Sequence, residues 1–170
     1  IYGAIAIVGV STAIATHPLS ASGTIGELQL SRLEQILGSL TGTGLCRVVL
    51  LHHPPQRLSI ARRRRLTDAA AFRTLIAKVG AELILHGHAH KRLTNDIDGP
   101  RQRVPVCGVR PSSAVGGGRH RAAQYHLYKI SQNGSETSAL TKHTGFEITV
   151  ISRSYNKINE QFEWNDEQSL

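Results

Sequence analysis

Nine histidines stand in this chain, and five of them fall in two short clusters. His52 and His53 open the run His52-His53-Pro54-Pro55, directly after the apolar stretch Arg47 to Leu51. His86, His88 and His90 alternate with Gly87 and Ala89, directly after a second apolar stretch at Leu83 to Leu85. Neutral imidazoles are good ligands for Zn, Fe, Mn or Ni. One histidine at a strand end is an ordinary structural residue, but several delivered from two strand ends form a donor set. Pro54-Pro55 fixes the loop leaving His52. Gly87 is expected to let the backbone turn sharply, aiming His88 and His90 into one cavity. His17 has no such company.

The flanking segments predict how these clusters are held. Ile5 to Val10 and Arg47 to Leu51 are continuous apolar runs rich in β-branched residues, and read as buried strands. Between them, Thr24 and Glu27 have capping-box spacing, and Leu33, Ile36, Leu37 and Leu40 recur at helical period, predicting a helix over 25–40. Residues 52–66 read as loop. Thr67 and Asp68 suit the start of a second helix with the stripe Phe72, Leu75, Ile76, Val79 and a stop at Gly80. Glu82 to His86 is a third strand. Strand, helix, strand, helix, strand argues for parallel pairing, and ligands of such sheets bind beyond the C-terminal strand ends. Both histidine clusters belong there.

Beyond residue 90 the pattern becomes antiparallel. Extended segments are predicted near 91–97, 102–109, 123–131, 136–142 and 146–153, with turns at Asp98-Gly99, Gly116 to Gly118 and Asn133-Gly134. Residues 155–170 lose the apolar pattern and read as an acidic, loosely ordered tail.

Composition bounds the rest. With 40% hydrophobic and 19% charged residues the chain is too apolar for a disordered segment. No apolar stretch approaches the ~20 residues of a membrane span. The net charge of +8 favours anionic partners such as phosphates or nucleic acid, or serves simply for solubility. Cys46 and Cys107 lie in strand-like runs and form no zinc pair, so buried thiols in a cytoplasmic setting are expected. No methionine occurs, and the chain opens on Ile1 within an apolar run, so it is expected to be a processed product or a piece of a longer protein.

The runs VVLLHHPP (Val48 to Pro55) and LILHGHAH (Leu83 to His90), together with VGVSTA (Val8 to Ala13) and the helix that follows, resemble the C-terminal half of a calcineurin-like metallophosphoesterase of the class III cyclic-nucleotide phosphodiesterase type. The likeness covers roughly residues 5–130. It implies an α/β fold, a four-layer αββα sandwich of mixed sheets flanked by helices, of which residues 1–154 would be the C-terminal part. It implies two divalent metal ions (Mn, Fe or Zn) in the complete enzyme, whose bridging hydroxide attacks the phosphorus of a phosphomonoester or phosphodiester. His52 resembles a ligand of the second metal, His88 another ligand of that metal, and His90 a ligand of the first. His53 and His86 are not usual ligands; each could orient a ligand or contact phosphate, or simply be packed.

The acidic motifs of that family are absent. None of Asp68, Asp96, Asp98 and Asp166 precedes a histidine by two positions or follows a glycine, and no Asn-His dipeptide occurs. Three neutral imidazoles offset none of the repulsion between two cations ~3.5–4 Å apart. The chain alone is therefore expected to bind at most one metal and to be inactive without the missing N-terminal half of its domain. The alternative is a non-catalytic remnant acting as a basic phosphate- or nucleic-acid-binding module. Arg57 and Arg62 to Arg65 could serve it, or steer phosphate to the site, or form a solvated loop. No aromatic residue interleaves the run, so nucleic acid is disfavoured. Gly116 to Gly118 with Arg119, His120 and Arg121 could form a phosphate nest or a flexible loop.

Overall fold

The computed structural model describes residues 1–56, 61–114, 122–132 and 145–170. The chain is mixed α/β, with eight strands in two sheets and two α-helices among those residues. Ile1–Ala89 and Thr94–Cys107 form one compact unit, and His90–Leu93 with Gly108–Leu170 form a second.

In the first unit, β1 (Ile5–Val10), β2 (Cys46–Leu51) and β3 (Leu83–His86) are parallel, and β4 (Leu93–Asp98) and β5 (Arg103–Gly108) complete a sheet of order β1-β2-β3-β5-β4. The crossovers carry α1 (Glu27–Ser39) and α2 (Ala69–Val79). Leu33 and Leu37 of α1 and Phe72, Leu75 and Ile76 of α2 are buried against Val10, Val49, Leu51, Ile84, Val104 and Val106. The expected stripes therefore form most of the core, except that Ile36 stays on the surface at 44% exposure and Leu40, at the C-cap of α1, is only half-buried and outside the cluster. Strand β1 is only half buried: Ala6 and Val10 face the core, whereas Ile7 is 57% exposed. An edge strand has cover on one face here, so a continuous apolar run does not guarantee two buried faces.

The end of the sheet away from the histidines is tied by a buried ion pair. Arg47 donates from Nε to Glu82 Oε2 at 2.9 Å and from Nη2 to Glu82 Oε1 at 2.8 Å. Its Nη1 reaches the carbonyl oxygens of Leu37 (3.2 Å) and Val79 (2.9 Å), so one guanidinium satisfies carbonyls in the last turns of both helices.

The capping box expected at Thr24 and Glu27 does not form. The N-cap position of α1 is Gly26, and the Asp68 carboxylate instead accepts from the Ile25 (2.9 Å) and Gly26 (2.8 Å) amides. A carboxylate brought from 42 residues away outcompetes the local hydroxyl because it carries a full charge. Thr24 and Thr67 bond each other through their hydroxyls at 2.5 Å. The loop 52–66 also contains a short 3-10 turn at Arg62–Arg64.

The second unit holds an antiparallel sheet of β6 (Gln124–Gln132), β7 (Phe146–Asn156) and β8 (Gln161–Ser169). Strand β8 corrects the reading of 155–170 as a loose tail. Its turn lacks glycine, and Glu160 takes the left-handed backbone (φ 51) instead. Phe162 packs edgewise on Tyr125 and Tyr155, with ring centroids 4.9 and 5.5 Å apart, and Asp166 pairs with Arg92 at 2.8 Å. An edge strand needs few apolar residues, which is why the polar sequence concealed it. The predicted strand at 136–142, the turns at Asn133-Gly134 and Gly116 to Gly118, and Arg57, Arg119, His120 and Arg121 lie outside the described residues. Among the described residues, no helix is long and apolar enough to cross a membrane.

Candidate metal centre

Parallel pairing of β2 with β3 sets Leu51 opposite His86. His52 and Gly87 therefore leave the sheet at the same level, and the Gly87 amide donates to the His52 carbonyl at 3.1 Å, adding one rung beyond the strands. The turn that follows is sharp. The Ala89 amide reaches back to the Gly87 carbonyl at 2.6 Å, and His88 and His90 both take left-handed backbone, with φ 58 and 51. The turning residues are thus the histidines, not Gly87 as expected. Holding non-glycine residues there costs on the order of 1 kcal/mol each, and such strain concentrates at functional sites.

This turn brings His88 Nδ1 to 3.1 Å from His52 Nε2. One nitrogen carries the shared proton and the other accepts it, so both rings cannot be cationic. His53 packs against both, with its ring centroid 4.2 Å from His88 and 5.1 Å from His52. Burial, then the neighbouring charges of His53 and His52, push the His88 imidazole down to about 4. His88 is therefore neutral near pH 7, as a ligand must be. Its Nε2 is buried and makes no well-aligned hydrogen bond, although the Arg64 backbone lies near enough to favour the charged form slightly.

His53 and His86 are committed elsewhere. His53 is 6% exposed; its Nδ1 accepts from the Thr12 hydroxyl (2.7 Å) and its Nε2 donates to the Ala21 carbonyl (3.0 Å). That pattern fixes the tautomer and leaves no nitrogen for phosphate. Gly23 makes room for it: a Cβ there would lie 2.4 Å from His53 Nδ1. His86 donates from Nδ1 to the Gly87 carbonyl (3.0 Å), and its Nε2 accepts from Gln56 Nε2 (2.9 Å). Burial lowers its pKa and holds it neutral. His90 is exposed and belongs to the second unit.

Two nitrogens bound to one ion at ~2.0–2.1 Å stand ~2.9–3.4 Å apart, from octahedral to tetrahedral angles. The His52–His88 separation of 3.1 Å matches such a pair. The buried, unsatisfied Nε2 marks His88 as a ring without a full set of protein partners. Among the described residues, no group of three or more His, Cys, Asp or Glu side chains converges to hold a metal. The aspartates are engaged: Asp68 with the α1 amides, Asp96 and Asp98 with Arg103, and Asp166 with Arg92.

Thr12 and Gly23 were not singled out from the sequence, although both matter to His53. The available signal was position, since Thr12 lies two residues beyond β1, on the same rim as both histidine clusters. Comparison with protein-family models gives no match, and a search of curated proteins gives none either.

Proposed function

We propose that this chain supplies the imidazole donors of a metal-dependent phosphoesterase, in a fold corresponding to the C-terminal half of a four-layer metallophosphoesterase sandwich. The observation that carries the reading is the His52–His88 pair, 3.1 Å apart at the level C-terminal ends of two parallel strands. His52 and His88 would hold one divalent ion (Mn, Fe or Zn). His90 is added by its place in the Gly-His-x-His pattern alone. When bound, such an ion supplies charge neutralisation and a nucleophile active near neutral pH.

The chain's own residues supply position. Thr12 and Ala21 fix the His53 tautomer, and the His53 ring backs His88. With the aspartates engaged elsewhere, a second ion needs carboxylates from another segment. The uncovered edge of β1, with Ile7 exposed, suits addition of further strands from such a segment.

Calorimetric titration with Mn or Zn tests the reading. At most one equivalent should bind, His52→Ala and His88→Ala should each abolish binding, and the chain alone should not hydrolyse bis-nitrophenyl phosphate. Undiminished metal binding by both variants would overturn the assignment. The second reading, a basic phosphate-binding module without catalysis, is favoured by the exposed arginines at 62–65. It predicts anion binding with no metal uptake.

A further inference from the structure

Strand β7 has two unlike faces. Ile148, Val150 and Ser152 are buried, whereas the alternating residues Thr149, Ile151, Arg153 and Tyr155 are not. The register carries the open face across all three strands of the second unit. Tyr125 of β6, Arg153 of β7 and Trp164 of β8 stand in one row, and Leu127, Ile151 and Glu167 stand in the next. Trp164 joins this face only because the β7–β8 register shifts between Ser152 and Arg153. Asn165 is the extra residue, and its side-chain amide donates to Ser154 Oγ at 2.6 Å. Regular alternation would have turned Trp164 to the same side as Asp166. Bulges re-aim side chains in this way next to binding sites.

Trp164 is the chain's single tryptophan and is 58% exposed. Among the described residues no aromatic ring packs on it, whereas Phe162 is held edgewise between Tyr125 and Tyr155. The charges around the indole are sorted. Glu163 accepts from the Asn159 amide (2.6 Å), Asp166 pairs with Arg92 (2.8 Å) and Glu167 with Lys129 (3.5 Å). Among the described residues no ion pair engages Arg153. An open indole beside an uncompensated guanidinium suits a ligand that carries both a flat ring and an anion. The chain's net charge of +8 favours a polyanion. At ~4.8 Å between strands and ~3.3 Å per residue, this face offers roughly 300–450 Å², about half of what each partner of a stable dimer buries. A slim, extended ligand fits it better than a second copy of the chain.

We propose that the open face of β6, β7 and β8 binds a single strand of nucleic acid, with a base stacked on Trp164 and the adjoining phosphate on Arg153. The aromatic surface that the arginine run lacks stands on this sheet. Binding needs neither a metal nor the His52–His88 pair, so it stands apart from the phosphoesterase reading. Stacking accepts any base, so the strand is bound without sequence preference.

The test uses the 170-residue chain, whose single tryptophan reports from the site itself. Titration with a thymidine decanucleotide, at low salt and without metal, should quench Trp164 fluorescence. A cytidine decanucleotide should bind within about threefold of it, and the thymidine strand annealed to its complement roughly tenfold more weakly. Inorganic polyphosphate, which has no bases, should not quench. By anisotropy of a labelled strand, Trp164→Ala should weaken binding about tenfold and Trp164→Phe much less, since a stacking face is kept. Arg153→Gln should weaken binding and flatten its log–log salt dependence by about 0.7, the share of one phosphate contact. Both side chains lie outside the core, so circular dichroism should show these variants folded. The quench in the unaltered chain needs no variant. Absent binding, binding without quenching, or affinity undiminished in both Trp164→Ala and Arg153→Gln overturns the proposal. So does quenching that follows protein concentration alone, with a dimer in light scattering, which would make the face an interface between copies.

Discussion

Arg47 and Glu82 face each other across the starts of two neighbouring strands in a two-point ion pair, with side chains only 10% and 7% exposed. The same carboxylate also accepts the Arg47 backbone amide at 2.7 Å. This pair locks β2 to β3 at one end of the sheet, and the register it protects is the register that levels His52 with Gly87 at the other.

Breaking it should be costly. Glu82→Ala leaves a buried guanidinium uncompensated and should destabilise the fold by about 3–5 kcal/mol. Urea unfolding at pH 7 measures this. The paired replacement Arg47→Met with Glu82→Leu should recover much of the loss, because the penalty lies in the orphaned charge.

Gly23→Ala should displace His53. Its Cβ would stand 2.4 Å from His53 Nδ1 and 2.5 Å from the Thr12 carbonyl oxygen, and neither neighbour is a flexible chain end. A loss of about 1–3 kcal/mol is expected, as for other overpacked sites. Imidazole NMR signals of His53 and His88 should shift together, since the rings touch. Unchanged signals would refute the backing role given to His53.

Acid should weaken the second unit through His126. Burial pushes this imidazole from 6.5 down to about 4, with the Arg92 charge acting the same way and Asp166 opposing. Its folded pKa lies below its unfolded one, so between about 6.5 and about 4 the unfolded chain takes up a proton that the folded chain refuses. Stability is thus full above about 6.5, falls as pH drops through that window, and falls no further below about 4. Allowing for solvent screening of a partly exposed ring, the contribution is on the order of 1 kcal/mol. His126→Gln should flatten the dependence of the urea midpoint on pH over this range.

The thiol at Cys46 should be inert in the folded chain. Burial, reinforced by the Glu82 charge and only partly offset by Arg47, pushes it up to about 12. Cys46 and Cys107 are 0% and 2% exposed and unbridged. Thiol reagents at pH 8 should modify neither cysteine until urea is added, and fast labelling without denaturant would contradict the packing described.

Much of the first unit was legible in the sequence because its signals are local and periodic. Apolar runs gave β2 and β3, helical spacing gave α1 and α2, and the two histidine clusters followed directly from the strand ends. The sheet order and the polar strand β8 were hidden, because edge strands and pairings between distant segments carry little local signature.

The sequence by itself determined which residue types could do chemistry here, and that they leave the C-terminal ends of strands expected to be parallel; that the two strands are direct neighbours came from the structure. Only the tertiary structure decided how they divide. His52 and His88 meet because register levels them and a left-handed backbone turns His88 inward, while His53 and His86 are bound by Thr12, Ala21, Gln56 and Gly87. Adjacent histidines in a sequence are chemically alike. Burial and hydrogen-bond partners, which depend on residues tens of positions away, give them different work.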